Sequence, residues 1–182
     1  MQPPETRVVV AGATGNSGSA RVAAMLGTAL AMAGMHDDSV EIVNAGATLD
    51  GVMAASDAGA SRFVVVSGGS AAMLTAAFAM VKAIETRQPG ARIELLVTGQ
   101  DESRAHASYQ RVRAAAARFL GRDVGFAGAI TELDGAPAGD SDEADSTRRR
   151  ATRASRAARM WAARLLAECS EGAWPEATPS TN

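Results

Sequence analysis

Lysine and cysteine are almost missing from this chain, which has one of each, Lys82 and Cys169, among 182 residues. A single cysteine excludes an internal disulfide. The sequence has only two histidines, His36 and His106, so it offers no cluster with the ligand spacing of a zinc site, and we expect no bound metal. The lone lysine lies far in sequence from the glycine-rich segment near residue 12, where a phosphate-binding lysine would be needed.

Aromatic side chains, net charge and long apolar runs are scarce as well. Aromatic residues make up 4% of the chain against 47% apolar residues, so the core has to be built from aliphatic side chains and close-packed alanine. The net charge of -2 gives no whole-protein field, and we expect no specific nucleic-acid partner.

The most apolar segments, Val22–Met35 and Ala71–Val81, are shorter than the roughly 20 residues of a membrane-spanning helix. Residues 1–6 lack the pattern of a secretion signal, so we expect a cytoplasmic protein.

Short apolar runs alternate with helical segments along most of the chain. The runs are typical of strands covered on both faces, and five are predicted: Arg7–Ala11, Val40–Val43, Arg62–Val66, Ile93–Val97 and Val124–Ala127. Helices are predicted at Ser17–Ala33, Leu49–Ala58, Ala71–Thr86, Ser103–Leu120 and Thr147–Glu168. This order predicts an α/β fold of three layers, a doubly wound sheet of about five mainly parallel strands with helices on both faces, as in P-loop and Rossmann-like proteins.

The spacing of apolar residues predicts the buried faces of two helices. In the fourth helix, the packed face is predicted to hold Ala107, Gln110, Ala114 and Ala117, closed by Phe119 and Leu120. In the last helix, it is predicted to hold Ala151, Ala154, Ala158, Trp161, Ala162 and Leu165. Arg149, Arg153, Arg156 and Arg164 lie opposite. Small alanines favour packing on the sheet over membrane contact through this helix.

A single domain is predicted for residues 1–168. Residues 132–146 are acidic and rich in small side chains, and are expected to form a mobile loop. Residues 169–182 are expected to form a flexible tail.

The segment "GATGNSGS" is the main candidate for a ligand site. A glycine-rich turn between a strand and a helix exposes backbone N–H groups beside a positive helix end, which together attract phosphate. The same glycines also suit a tight turn that binds nothing. The candidate nucleotide-binding residues are Gly12, Ala13, Thr14, Gly15, Asn16, Ser17, Gly18 and Ser19.

Two ligand classes use such a turn, and they need different partners. A P-loop needs a lysine before a Ser or Thr; here Gly18 stands at the lysine position and Ser19 at the hydroxyl position. A dinucleotide loop needs only the glycines and a residue at the end of the second strand that reads the ribose, where Asn44 stands. A second turn, Ser67–Ser70, follows the third strand, and we expect it to cap the next helix.

The segment Arg62–Ile130 resembles the second half of MinD/ParA-type P-loop ATPases, closest to the flagellar-number regulators FlhG or FleN. "AFAMVK" (Ala77–Lys82) resembles the family's Ala-Tyr-x-x-Ile-Lys motif, and "LLVT" (Leu95–Thr98) its "LLVN" strand. The resemblance implies a bacterial protein that controls flagella or other polar assemblies through bound ATP or ADP, homodimer formation and contacts with protein partners.

The departures from that family concern the groups that hold ATP. The catalytic and signature lysines of the family correspond to Gly18 and Ala13, and Asn44 replaces the aspartate of a switch segment that also includes Gly46. Thr98 stands where an asparagine usually reads adenine. Since phosphoryl transfer depends on such charges, no catalytic residue is predicted, and the expected function is that of a non-catalytic or weakly nucleotide-binding regulator acting through protein contacts.

The alternative is an NAD(P)-binding sensor or reductase. "GATGNSG" also resembles the NAD(P)-binding turn of NmrA-like short-chain dehydrogenases. The segment Ala58–Ala71 resembles the central strand of the same proteins. Those reductases usually rely on a Tyr with a Lys four positions on, whereas the only tyrosine here, Tyr109, is followed by Arg113. A third possibility is an interaction module whose loop binds no ligand.

Overall fold

The structure is a computed structural model, and it describes residues 6–33, 40–131, 156, 158–165 and 167. Strands and helices alternate along these residues. Their bounds are β1 Thr6–Gly12, α1 Ser19–Met32, β2 Val40–Gly46, α2 Leu49–Asp57, β3 Arg62–Gly68, α3 Ala71–Arg87, β4 Arg92–Thr98, α4 Glu102–Leu120 and β5 Gly125–Ile130. Residues 158–165 are also helical and are called the C-terminal helix below.

The strands form one parallel sheet in the order β2-β1-β3-β4-β5. Helices cover both of its faces, which confirms the predicted three-layer α/β fold. Because successive side chains on a strand point to opposite faces, Val9 and Val65 enter one core while Val10 and Val64 enter the other. Helices α2, α3 and α4 pack on the first face, and α1 packs with the C-terminal helix on the second.

All five strands end later than predicted, and two of them, β2 and β5, end three residues later. Strand β2 runs on past Val43 to Gly46, and β5 runs on to Ile130. In β2 the pairing with β1 shifts register, so that Val10 pairs with Asn44 and Ala11 with Gly46. This irregular end of β2 contains polar and small residues, so a pattern of apolar runs does not predict it as part of the strand.

The predicted packed face of α4 is wrong. The four residues assigned to it, Ala107, Gln110, Ala114 and Ala117, are exposed. Helix α4 instead buries Ala105, Ser108, Tyr109, Val112 and Ala116. Alanine is tolerated on either side of a helix, so the positions of alanines are a poor guide to which face is buried. Tyr109 packs inward, and its hydroxyl donates to the carbonyl oxygen of Val124 at 2.9 Å. Burial raises the pKa of the Tyr109 phenol.

The predicted buried face of the last helix is confirmed where the structure describes it. Its residues Ala158, Trp161, Ala162 and Leu165 are all buried in the second core. The rest of that prediction, Ala151, Ala154, Arg149 and Arg153, lies outside the described residues, as do the acidic loop 132–146 and the tail 169–182. Within the described part of the chain, no helix is both long and apolar enough to cross a membrane.

A buried carboxylate fastens the C-terminal helix to the sheet. Glu94 on β4 is 2% exposed and accepts hydrogen bonds from Nε1 of Trp161 at 3.0 Å and from Nη2 of Arg164 at 2.7 Å. A guanidinium nitrogen of Arg62, which is equally buried, lies 3.5 Å from the same carboxylate. A buried carboxylate needs such partners. The sequence analysis treated both strands as apolar and missed this network.

Candidate functional site

The glycine-rich loop lies at the carboxyl edge of the sheet, where the chain changes direction. Strand β1 is followed in sequence by β2 on one side and is flanked by β3 on the other. In doubly wound sheets, ligands bind outside the carboxyl ends of the strands at such a switch point. The residues Gly12–Ser19 therefore stand where the fold itself favours a ligand site.

The loop is held in a compact turn against the neighbouring strand. The N–H of Ser17 donates to the carbonyl oxygen of Thr14 at 3.0 Å, and the N–H of Ala13 donates to that of Val66 on β3 at 2.8 Å. A Cβ atom on Gly12 would overlap the Ser17 hydroxyl and lie 3.0 Å from the Thr14 carbonyl oxygen. Glycine at position 12 is thus required for the turn to fold over Ser17.

Helix α1 begins without a side-chain cap. Its N-cap residue is Gly18, which has a left-handed backbone with φ of 76°, and no side chain accepts a hydrogen bond from the first turn. This conformation explains why α1 starts at Ser19 and not at Ser17 as predicted. The other three helices with assigned caps use Thr48, Ser70 and Asp101, each accepting from a backbone N–H. The first turn of α1 keeps its N–H groups and its positive end for an external acceptor.

Two hydroxyl groups of the loop are buried without a partner. Among the described residues, neither Oγ1 of Thr14 nor Oγ of Ser17 has a hydrogen-bond partner, and Ser17 is only 1% exposed. A buried polar group left unpaired costs roughly 1–3 kcal/mol. An unpaired buried group in a native protein calls for an explanation, and a bound ligand, ion or water is one of them.

Cationic side chains do not belong to the loop. Gly18 occupies the lysine position, and Arg21 is exposed on the first turn of α1. Lys82 is the twelfth residue of α3, a helix that starts at the carboxyl edge with Ala71. At 1.5 Å per residue it lies about 17 Å along the helix axis from that edge. The loop Gly12–Ser19 itself therefore offers only neutral donors to an anion, and Arg21 is the cationic residue that follows it in sequence.

The structure brings the switch-like residues beside the loop. Asn44 and Gly46 pair with Val10 and Ala11 at the end of β1, and a Cβ on Gly12 would lie 3.3 Å from that of Ala47. The Asn44 Oδ1 atom, however, accepts a hydrogen bond from the N–H of Gly46 at 3.1 Å. The side chain stabilises its own turn, and a neutral amide in that state is a poor ligand for magnesium.

The next loops along the edge are built differently. Ser70 accepts from the N–H of Met73 at 3.3 Å, so the predicted cap of α3 is confirmed. Thr98 donates to the carbonyl oxygen of Ser67 at 3.3 Å and is turned into the sheet. Gln100, which the sequence analysis did not single out, lies over Gly69 and accepts a hydrogen bond from Ser108 at 2.8 Å. Only the pairing of a bare glycine with a long amide in the adjacent loop could have indicated it.

A groove of about 400 Å³ lies elsewhere, between α1 and the outer edge of β2. Its lining is mostly alanine and aliphatic side chains, and of the candidate residues it includes Asn44 alone. In the part of the chain that the structure describes, no group of three His, Cys, Asp or Glu side chains is placed to hold a metal ion.

Comparison with known proteins adds no family to these observations. No model of a protein family matches the chain, and no curated protein matches it significantly.

Proposed function

We propose that this protein is a phosphate- or nucleotide-binding regulator that does not hydrolyse its ligand and acts through contacts with other proteins. The observation that carries the proposal is the uncapped start of α1 beside two buried, unpartnered hydroxyls, Thr14 Oγ1 and Ser17 Oγ. Backbone N–H groups, a helix dipole and hydroxyl donors together form the chemistry of an anion site.

The ligand chemistry that suits this loop is limited by charge. Neutral donors bind one phosphate group well, whereas the outer phosphates of magnesium-bound ATP need a lysine and an acidic magnesium ligand. Gly18 and Asn44 stand at those two positions, and the Asn44 amide is engaged by Gly46. Losing one such group costs orders of magnitude in rate, so binding without turnover is the activity that fits.

The regulatory part of the proposal comes from the resemblance to MinD/ParA proteins of the FlhG type. If this chain has kept that scaffold without the switch chemistry, it would contact its partners in flagellar or polar assembly regardless of nucleotide state. The position of Asn44 and Gly46 next to the glycine loop supports the comparison with a switch segment. A homodimer of constant mass, with and without nucleotide, is the form that we expect in light scattering.

A second candidate is an NAD(P)-binding sensor, since the same loop geometry suits a dinucleotide pyrophosphate. Two observations rank it lower. The third strand lies across β1 from β2, whereas in the dinucleotide-binding order it lies beyond the second strand. Tyr109 donates to Val124, the residue before β5, and so lies towards the amino edge of the sheet, away from the loop.

Thermal unfolding with a panel of ligands tests these alternatives. A ligand at 100 times its dissociation constant adds about 2.7 kcal/mol to the free energy of unfolding. We expect inorganic phosphate and ADP to raise the melting temperature and magnesium-ATP to show no turnover. A rise with NADPH alone would favour the second candidate. Magnesium-dependent ATP hydrolysis that is lost in Ser19→Ala would overturn the proposal.

A further inference from the structure

The outer edge of β2 pairs with no other strand in the part of the chain that the structure describes. The order β2-β1-β3-β4-β5 places β2 at one end of the sheet and β5 at the other. An edge strand presents a row of unpaired N–H and C=O groups, which is a template for pairing with another chain. Proteins that stay monomeric protect such edges with lysine, proline, bulges or covering side chains.

The two edges of this sheet differ in that protection. On β5 the pairing with β4 shifts register in mid-strand, Gly128 has φ of 133°, and Arg164 donates to the carbonyl oxygen of Phe126 at 2.9 Å. On β2 the pairing with β1 is regular over residues 40–44 and shifts only beyond them. Strand β2 therefore keeps five consecutive residues in the geometry that a further strand needs.

The side chains of β2 also leave its edge open. The strand contains neither lysine nor proline, and its one charged residue, Glu41, accepts a hydrogen bond from Nε of Arg7 on β1 at 2.6 Å. Ile42 packs towards α1 on one face and Val43 towards α2 on the other, and both are only partly buried. A strand added along β2 would complete the burial of both side chains.

The spacing of the layers fits a second copy of this chain at that edge. A two-fold axis perpendicular to the sheet would pair β2 with β2 in antiparallel fashion and leave both α1 helices on the same face. Helix α1 packs over β1 and β2, so the two copies of α1 would lie about two strand spacings, or about 10 Å, apart. Packed helices have axes about 8–10 Å apart. The residues of α1 that line the groove beside β2 include Ala24 and Gly27, which are small enough for this approach.

The area of this end of the molecule reaches what a specific dimer needs. Helix α1 has 14 residues and is therefore about 21 Å long. A sheet with a helix layer on each face is about 30 Å thick, since a helix with its side chains is about 10 Å across. The end face thus offers about 600 Å² per copy, or about 1,200 Å² for the pair, which is the lower end of the range for stable interfaces.

We propose that the outer edge of β2 and the adjoining face of α1 bind a second copy of this chain, joining the two sheets into one. The inference rests on the homodimer of the proposed function and assigns its interface. Antiparallel pairing of β2 places the two loops Gly12–Ser19 at opposite edges of the joined sheet, so neither loop lies in the interface. The dimer therefore forms whether the loops hold a ligand or not.

Light scattering over a range of protein concentrations, with and without inorganic phosphate, tests the interface through Gly27→Arg. A side chain at position 27 meets no atom of its own chain within 4 Å of its Cβ, and arginine is a better helix former than glycine, so the single chain should fold normally. In the dimer, two arginines would meet in the groove. We expect twice the mass of one chain for the unmodified protein in both conditions, and a dimer dissociation constant at least 100-fold larger for Gly27→Arg.

Ala114→Arg is the matched control, because Ala114 is an exposed alanine of α4 on the other side of the sheet. It adds the same side chain to a helix surface away from β2 and should leave the mass unchanged. Hydrogen exchange gives a second measurement, in which the amides of β2 should exchange more slowly as the concentration of the unmodified protein rises and should not do so in Gly27→Arg.

The outcomes separate this inference from the function on which it rests. If Gly27→Arg stays dimeric, the interface is overturned while the homodimer stands. If the unmodified protein has the mass of one chain at every concentration, or doubles its mass only with phosphate, the inference is overturned while phosphate binding by the glycine loop stands. If the dimer behaves as expected but phosphate does not raise the melting temperature, the ligand site is overturned and the interface stands.

Discussion

Two turns of similar composition stand side by side at the carboxyl edge of this sheet. Gly12–Ser19 joins β1 to α1, and Ser67–Ser70 joins β3 to α3. Both are built from glycine and small hydroxyl residues, and each leads from a buried strand directly into a helix. They differ in where their polar groups find partners.

In the second turn, the serine hydroxyls form hydrogen bonds with the first residues of α3. The Ser67 hydroxyl donates to the carbonyl oxygen of Met73 at 3.0 Å, and Ser70 caps α3 by accepting from the Met73 N–H. In the first turn the hydroxyls of Thr14 and Ser17 are buried without partners among the described residues, and Gly18 supplies no cap. Both turns have the composition of a phosphate loop, but among the described residues the first turn has unpaired hydroxyls and an uncapped helix start, whereas the second has neither.

The largest expected effect is at Gly12. Gly12→Ala would place a methyl group on the buried Ser17 hydroxyl and 3.0 Å from the Thr14 carbonyl oxygen, so the Ser17 side chain must shift and the turn must give slightly. Overpacking of this kind costs typically 1–3 kcal/mol, and we expect about 2–3 kcal/mol in urea unfolding, together with loss of phosphate binding.

Gly69→Ala is the matched control in the second turn. Its new methyl group would meet the end of the Gln100 side chain, which can move away if it gives up its hydrogen bond from Ser108, so we expect about 1 kcal/mol of destabilisation. Equal losses at the two glycines would contradict the distinction between the turns.

A smaller effect is expected for the cap of the second turn. Ser70→Ala removes the acceptor for the Met73 N–H and should lower the free energy of unfolding by about 1 kcal/mol. Phosphate binding should be unchanged, because Ser70 belongs to the second turn, whose hydroxyls are already hydrogen-bonded. A loss of phosphate binding in this variant would mean that the ligand occupies the second turn as well.

The smallest change has the opposite sign. Ser17→Ala removes a buried hydroxyl that has no partner, so the ligand-free protein should become more stable by up to about 1 kcal/mol. Binding of inorganic phosphate should weaken at the same time. A variant that is less stable and binds phosphate normally would show that Ser17 has a structural role only.

The sequence was a good guide to the sheet and a poor guide to the site. Apolar runs identified each described strand because buried parallel strands have no polar face, and glycine punctuation located the loop. The sequence carried less about individual side chains. It could not show that Ser17 turns inward beneath Gly12, and it treated the exposed alanines of α4 as buried.

Contacts between distant loops were beyond sequence patterns for a physical reason. The Gln100 amide lies over Gly69, 31 positions earlier, and Glu94 on β4 accepts a hydrogen bond from Trp161 of the C-terminal helix, 67 positions later. Neither partner follows from helical or strand periodicity, since each depends on the packing of whole elements. Periodicity in a sequence describes one helix or strand at a time, whereas each of these contacts joins two separate parts of the fold.

The most direct test of the account is an NMR titration of the ¹⁵N-labelled protein with inorganic phosphate. We expect saturable shifts at the amides of Gly15, Asn16, Gly18 and Ser19, and none at the first turn of α3, where Ser70 already serves as the cap. Shifts at both turns, or at neither, would contradict the claim that only the β1–α1 turn is left open for an anion.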